Sequence, residues 1–228
     1  MKYKVGMVLG RFQPFHNGHA SIVLRALEDC EKVILVVGSA QESGTEQNPL
    51  SFLDRTQLII RTLRGKMERV EIFPIEDREE IAADASWGEY VLETLEKAGI
   101  DKPEAVYVGG GEHREDWYTS VGLDVVITDR NITPISSTQI RAAIKEDNYD
   151  FFCDAMHPNT WRLFNSLKKT LLKIKDPLYE IEVCINGKRE VYTHESTEEI
   201  PIEVFIIEFM ENHIGKDISM FKVVKKGS

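Results

Sequence analysis

Residues 10–19, with the sequence GRFQPFHNGH, combine side chains that are well suited to chemistry on a phosphate group. His16 and His19 are three positions apart with Gly18 between them, so both imidazoles can face one bound group while Gly18 lets that group approach the backbone. A β-branched apolar run precedes this segment and an amphipathic pattern follows it, which places it between a first strand and a first helix. The start of a helix attracts anions through its free backbone amides and its dipole. Two histidines there can donate hydrogen bonds to charge that develops on a transferring phosphoryl group.

Residues 135–141 (ISSTQIR) form a second candidate at the opening of a later predicted helix. A Ser or Thr at an N-cap satisfies one backbone amide of its own helix, which accounts for one hydroxyl. It does not account for Ser136, Ser137 and Thr138 in series, followed one turn later by Arg141. Because a planar guanidinium binds phosphate oxygens in a bidentate manner, these groups together can hold the β- and γ-phosphates of a triphosphate.

The elements that must position these segments follow an α/β rhythm. Short β-branched apolar runs alternate with longer amphipathic stretches, as in parallel strands joined by crossover helices. The predicted strands are 3–9, 32–38, 70–75, 105–108 and 123–128, and the predicted helices between them are 20–29, 52–63, 87–98 and 114–120. The continuous apolar run 33–37 favours a central strand that is buried on both faces. We expect a Rossmann-like parallel sheet with helices on both faces and with its ligands at the carboxyl ends of the strands.

Beyond Thr138 the pattern changes, first to helices and then to a small ββαβ unit. The helices are predicted at 139–145, 149–155 and 160–173. Asn186-Gly187 is a strong hairpin signal between two alternating runs, and a helix at 202–213 and a strand at 220–224 follow. We therefore expect a main domain at 1–175 and a C-terminal unit at 176–228. So small a unit has little core of its own, which predicts that it docks on the main domain or on a partner subunit of a homo-oligomer.

Composition and charge exclude several classes of protein. The 228 residues are 42% apolar and 29% charged, with a net charge of −10 at pH 7. An acidic chain without a basic block binds extended nucleic acid poorly, and no apolar run approaches the roughly 18 residues needed to span a bilayer. The cysteines are odd in number and form no CxxC pair, which favours reduced thiols in a cytoplasmic protein.

The first two motifs resemble those of a known enzyme superfamily. The segment GRFQPFHNGH resembles the HxGH motif of the adenylyl- and cytidylyltransferases, and its longer GRFQPFH form resembles archaeal-type nicotinamide mononucleotide (NMN) adenylyltransferases in particular. ISSTQIR is similar to the ISSTxxR element of the same superfamily, about 120 residues later. The resemblance covers about residues 4–173, and it implies that His16, His19 and Arg141 are catalytic. It also implies an ATP site that contains Gly10, Arg11, Phe12, Gln13, Ser136, Ser137 and Thr138.

Three further segments bear on the acceptor substrate. Residues 38–43 (GSAQES), with Asn48-Pro49 and Arg55, resemble a nucleotide-contacting segment of the same family, where Arg55 would offer a cation to the acceptor phosphate; the alternative for Arg55 is a solvated helix charge. Asp77 and Trp87 resemble an arrangement in which the Trp stacks on the nicotinamide ring, a cation–π contact of roughly 0.5–2 kcal/mol. Trp87 is otherwise a core residue at a helix start. Gly109 and Gly110 stand where the family pattern has Ser-Gly-Asn, and they still allow close approach of a ligand to the backbone. The predicted acceptor-binding residues are Ser39, Gln41, Glu42, Arg55, Asp77, Trp87, Gly109 and Gly110.

The resemblance implies transfer of AMP from ATP to NMN, giving NAD and pyrophosphate. No carboxylate cluster of the metal-ligand type is visible, so Mg²⁺ is expected to be held mainly by the ATP phosphates and water rather than by a protein site. Two kinds of alternative stay open. One is the same nucleotidyl transfer to another acceptor (nicotinate mononucleotide, phosphopantetheine or a sugar phosphate), or with CTP in place of ATP. The other is a nucleotide-sensing module without turnover. A class I aminoacyl-tRNA synthetase is disfavoured, because the chain lacks a Lys-Met-Ser-Lys-Ser loop.

Overall fold

The predicted apolar runs form the strands of a parallel sheet in the computed structural model of the protein. The structure describes residues 1–78, 86–109, 115–128, 134–173, 178–195 and 202–226. Within these ranges the larger sheet has five parallel strands in the order β3-β2-β1-β4-β5. The strands are β1 (Tyr3–Gly10), β2 (Cys30–Val37), β3 (Val70–Pro74), β4 (Ala105–Gly109) and β5 (Asp124–Thr128).

Helices alternate with these strands and then continue the chain. The helices of this part are α1 (Asn17–Asp29), α2 (Phe52–Thr62), α3 (Ser86–Lys97), α4 (Glu115–Thr119), α5 (Ser137–Lys145), α6 (Tyr149–Ala155) and α7 (Phe164–Leu172). Most boundaries lie within one to three residues of the predicted ones. The predicted helix 160–173 differs, because a 3₁₀ helix at Pro158–Leu163 precedes α7. Pro158 starts that 3₁₀ helix, and the His157 ring caps it by accepting from the Asn159 N–H.

Strand β2 lies inside the sheet and has a hydrophobic core on each side. Val33 and Leu35 belong to one core cluster, Ile34 and Val36 belong to the other, and all four are fully buried. Side chains alternate across a strand, so a continuous apolar run is what two-sided burial requires. The predicted α/β fold with a parallel sheet is confirmed.

Strand β1 is the point where the strand order reverses. It pairs with β2 on one side, with Leu9 opposite Val36, and with β4 on the other, with Gly6 opposite Ala105. In open α/β sheets, ligands bind in the crevice at the carboxyl ends of the strands at such a reversal. Segment 10–19 leaves β1 at this end and enters α1, so the fold places the first motif at the expected crevice.

Contacts along the chain divide it into two units, Met1–Leu172 and Lys173–Ser228. In the second unit, β6 (Leu178–Ile185) and β7 (Lys188–Glu195) form an antiparallel hairpin, followed by α8 (Ile202–Glu211) and β8 (Ile218–Lys226) in the order β7-β6-β8. Asn186 and Gly187 have φ of 51° and 77°, as a tight hairpin turn needs, so the predicted hairpin is confirmed. The predicted boundary at 175 stays a prediction, because residues 174–177 lie outside the described part. Among the described helices, none is long and apolar enough to cross a membrane.

Candidate active site

A cavity of about 300 Å³ lies at the carboxyl ends of β1, β4 and β5. Its floor is formed by Leu9 and Gly10 from β1, with Val108 and Gly109 from β4. The walls combine residues of both sequence motifs, which are Arg11, Phe12, Gln13, His16, Gly18, His19, Ser136, Ser137, Thr138 and Arg141. The fold therefore brings the two motifs together around one cavity, although more than a hundred residues separate them in the chain.

The two histidines form a stacked pair at the start of α1. Their ring centroids are 3.8 Å apart, and the rings are inclined by 29°. His16 is the N-cap, and its Nδ1 accepts from the Gly18 N–H at 3.1 Å. His19 Nδ1 accepts from the His16 N–H at 3.4 Å. Because Nδ1 acts as acceptor in both rings, each neutral imidazole carries its proton on Nε2 and is a hydrogen-bond donor there.

This capping changes one detail of the expected anion site. The helix start was expected to have free backbone amides, but the amides of His16 and Gly18 donate to the two rings. The amides thus orient the imidazoles rather than serving a ligand directly. Phe12 and Phe15 hold His19 further, with ring centroids 5.0 and 5.6 Å from its ring.

Arg141 crosses from α5 to the first motif. Its Nη1 donates to the Gln13 carbonyl at 2.8 Å, and its Nη2 donates to the Thr138 hydroxyl at 3.4 Å. Burial lowers the pKa of the Arg141 guanidinium, and repulsion from Arg11 lowers it further. Two like charges that face one cavity are unfavourable unless an anion joins them. The pair is therefore suited to a polyphosphate.

The three hydroxyls of the second motif have different partners. Ser136 caps α5, where its Oγ accepts from the Gln139 N–H at 3.2 Å, so the capping explanation holds for this residue. Ser137 donates to the Pro14 carbonyl at 3.1 Å, which joins α5 to the first motif. Thr138 accepts from Arg141. All three hydroxyl residues also line the cavity.

Gln13 and Arg55 connect the loops below the site. Gln13 is 3% exposed, and its amide exchanges two hydrogen bonds of 2.9 Å with the backbone of Leu50. Arg55 was predicted to contact the acceptor phosphate or to be solvated, but it is fully buried. Its guanidinium donates to the carbonyls of Arg11 (3.0 Å), Gly38 (2.7 Å) and Ser39 (3.1 Å), and burial lowers its pKa. Arg55 thus holds the chain ends of β1 and β2 together and is corrected to a structural role.

The predicted acceptor residues form a separate cluster at the ends of β2 and β3. The Ser39 hydroxyl donates to the Asp77 carboxylate, and the Gln41 amide makes two hydrogen bonds, 3.2 and 3.3 Å long, with the Asp77 backbone. Glu42 accepts from the Asn48 amide. Gln41 also lines a second cavity of about 470 Å³, together with Ile75, Glu76 and Tyr90. The structure brings Ser39, Gln41 and Asp77 together, but it does not place them on the wall of the histidine cavity.

The predictions for Trp87, Gly109 and Gly110 have different outcomes. Trp87 is 7% exposed and packs against Tyr90 and Trp117, with ring centroids 5.4 and 6.2 Å away. This environment matches the core alternative rather than a stacking platform. Gly109 lines the histidine cavity, and its predicted contact with the acceptor stays a prediction. Gly110 lies outside the described residues.

Several cavity residues were not found from the sequence. They are Ser21 and Ile22 of α1, Gln47 of the loop before α2, and Tyr107 and Thr128. Ser21 and Ile22 lie within one turn of His19, so helical spacing offered a signal. Thr128 ends β5, and its hydroxyl donates to the Val108 carbonyl at 2.9 Å. Because ligands bind at the carboxyl ends of parallel strands, the position of Thr128 at the end of β5 also indicated a cavity residue.

The donor set around the cavity is suited to a metal that arrives with its ligand. Arginines, hydroxyls and imidazoles line the cavity, and no carboxylate is among the described lining residues. Over the described ranges, no group of three or more His, Cys, Asp and Glu side chains is arranged to hold an ion. A cation bound through triphosphate oxygens and water fits these residues, since Mg²⁺ keeps several waters in such sites.

A parallel α/β sheet with an HxGH pair and an arginine at one cavity defines a class, the nucleotidyltransferases. The model of the cytidylyltransferase-like family matches residues 7–143, and the chain belongs to this family. A nicotinamide-nucleotide adenylyltransferase of Methanococcus aeolicus is 30% identical over 139 residues, which are 60% of this chain and 76% of that protein. The enzyme of the same name from Thermococcus onnurineus is 38% identical over 146 residues, which are 63% of this chain and 73% of that protein. The predicted resemblance to the archaeal-type enzymes is confirmed. Other relatives with this name align over about half of their own length.

A solved structure shows the same fold. It is a bifunctional NMN adenylyltransferase/ADP ribose pyrophosphatase of Francisella tularensis, complexed with AMP and a Mn ion. The match has a TM-score of 0.58 at 19% identity and covers 90% of this chain and 73% of that one. At this identity the likeness concerns the fold.

Proposed function

We propose that this nucleotidyltransferase transfers AMP from ATP to nicotinamide mononucleotide, giving NAD and pyrophosphate. The observation that carries the proposal is the convergence of the stacked His16–His19 pair and Arg141 on one cavity. The relatives named nicotinamide-nucleotide adenylyltransferase support the choice of ATP and of this acceptor.

In the proposed reaction, a phosphate oxygen of the acceptor forms a bond to the α-phosphorus of ATP while the bond to the bridging oxygen of pyrophosphate breaks. No protein nucleophile is needed, so catalysis depends on positioning and on charge stabilisation. His16 and His19 donate from Nε2 to the α-phosphoryl oxygens as negative charge develops. Arg141 and Arg11 stabilise the β- and γ-phosphates and then the leaving pyrophosphate.

The remaining ATP contacts are assigned to residues that line the same cavity. Gly10 and Gly109 allow the ligand to approach the backbone, and Ser137 and Thr138 offer hydroxyls. Gln13 and Phe12 act by shaping this wall. We assign the acceptor to the cluster of Ser39, Gln41, Glu42 and Asp77, at the neighbouring strand ends.

Mg²⁺ is the cation we propose for this reaction. When bound to the triphosphate, it would neutralise phosphate charge. Arg11, Arg141 and the hydroxyls of the second motif then hold the metal–nucleotide complex through the phosphates. We also propose a cytoplasmic enzyme, in line with the unpaired thiols of Cys30, Cys153 and Cys184. The homo-oligomer stays a prediction.

A grid of nucleotides and acceptors tests the proposal. Purified protein is incubated with ATP or CTP and with nicotinamide mononucleotide, nicotinate mononucleotide, phosphopantetheine or a sugar phosphate, and pyrophosphate release is measured. The proposal expects the highest kcat/KM for ATP with nicotinamide mononucleotide. A different best pair would reassign the substrate, and tight ATP binding without product from any acceptor would favour the sensing module.

A further inference from the structure

A third cavity, here called the arginine cavity, lies between α2 and the 3₁₀ helix Pro158–Leu163. It has a volume of about 550 Å³, and its walls include the three arginines Arg61, Arg64 and Arg162. The Asn159 amide donates to the Arg61 carbonyl at 3.0 Å and so joins the two walls. None of its described lining residues belongs to the histidine cavity, so the two sites are distinct.

Among the described residues, the three arginines of this cavity have no carboxylate partner. Over the described ranges, none of the three guanidinium groups takes part in an ion pair, and no carboxylate lines the cavity. Arg61 Nε is buried and has no hydrogen-bond partner among the described residues. A buried donor without a partner is destabilising, and grouped like charges repel one another. This grouping is notable in a chain whose net charge is −10.

The walls indicate which kind of anion fits. Guanidinium groups bind phosphate oxygens with two parallel hydrogen bonds. Ile60, which is 45% exposed, and Pro158 add apolar surface to the same cavity. The volume lies within the roughly 300–1,000 Å³ that is usual for small-molecule sites. Together these features favour a phosphate group attached to an organic body.

We propose that the arginine cavity binds a phosphorylated small molecule of nucleotide type at a site separate from the catalytic cavity. ATP and the dinucleotide product both carry phosphate groups on an organic body. They are the two sources of such a ligand in the proposed reaction. Only the naming of these two sources rests on the proposed function. The binding site itself rests on the unpaired guanidinium groups and on the cavity.

Calorimetric titration of the whole chain with ATP, NAD and inorganic pyrophosphate tests the proposal. We expect two bound anions per chain for at least one nucleotide. The double variant Arg64→Gln/Arg162→Gln changes exposed side chains, so the fold should persist, and circular dichroism checks this. The double variant should weaken binding of the nucleotide at one of the two sites at least about tenfold, since each charge-assisted contact is strong. Arg141→Ala should weaken the other site.

Arg25→Gln is the matched control, because it removes an exposed arginine of α1 that lines neither the histidine cavity nor the arginine cavity. It should leave both sites intact. The nucleotide that binds more tightly to the arginine cavity identifies the source. A single site per chain, lost in Arg141→Ala and unaffected by the double variant, would overturn the proposal. Because the readout is binding without turnover, failure of the proposed reaction would not produce that result.

Discussion

The imidazole ring of His16 stacks on that of His19 with the centroids 3.8 Å apart, and a backbone N–H holds the Nδ1 of each ring. The helix cap and the proposed catalytic pair are therefore the same structure. Capping fixes the tautomer and the orientation of both rings before any ligand arrives. Preorganised donors of this kind need no rearrangement as charge develops in the transition state.

Replacing His19 tests the role of the pair. His19→Ala removes a donor that acts on developing charge, and loss of one such donor costs about 100-fold or more in kcat. ATP binding should change far less, as calorimetry would show. His213→Ala, in the second unit, is the control and should keep full turnover. A His19→Ala enzyme with most of its kcat would remove the catalytic role.

Replacing Arg141 distinguishes the effect of its positive charge from the effect of its planar guanidinium group. Arg141→Lys keeps the positive charge but loses the planar fork that reaches both the Gln13 carbonyl and Thr138. We expect a lower kcat and a higher KM for ATP, with a total loss in kcat/KM of at least about tenfold per charge-assisted bond. Steady-state kinetics at varied ATP measure this. An unchanged kcat/KM would place Arg141 outside the phosphate site.

Replacing Arg55 tests the corrected structural role. Arg55→Met leaves the carbonyls of Gly38 and Ser39 without their donors in a buried region. Each unsatisfied buried group costs about 1–3 kcal/mol, so the free energy of unfolding should fall by about 3 kcal/mol or more. Urea denaturation measures this, with Arg25→Met as the exposed control. A stable variant with only a raised KM for the acceptor would instead support direct phosphate binding.

Replacing Trp87 distinguishes packing from stacking on nicotinamide. Trp87→Phe retains most of the apolar volume, so we expect a modest loss of stability and an unchanged KM for the acceptor. Trp87→Ala should lower the free energy of unfolding by about 3–5 kcal/mol, as is usual for a large core aromatic. Thermal unfolding and acceptor kinetics on both variants are the measurements. A Trp87→Phe protein of wild-type stability with a strongly raised acceptor KM would favour stacking.

The sheet and the two motifs were predictable from local pattern. The continuous apolar run 33–37 indicated burial on both faces, and the strand–loop–helix position of His16 and His19 placed them at the sheet edge where the cavity lies. Arg55 was not predictable, because a helix position does not show which arginine turns inward to meet loop carbonyls from distant parts of the chain. Trp87 was ambiguous for a similar reason, since an aromatic at a helix start serves a core and a ligand equally well. The positions of Gln47 and Thr128 on the cavity wall depend on tertiary packing, and neither residue belongs to a sequence motif.

Formation of product by the wild-type chain tests the central claim most directly. The protein is incubated with ATP, nicotinamide mononucleotide and Mg²⁺, and the products are quantified by mass spectrometry beside the His19→Ala variant. We predict NAD and pyrophosphate in equal amounts from the wild type, with formation at least about 100-fold slower in the variant. Absence of NAD from the wild type, or equal rates for the two proteins, would contradict it.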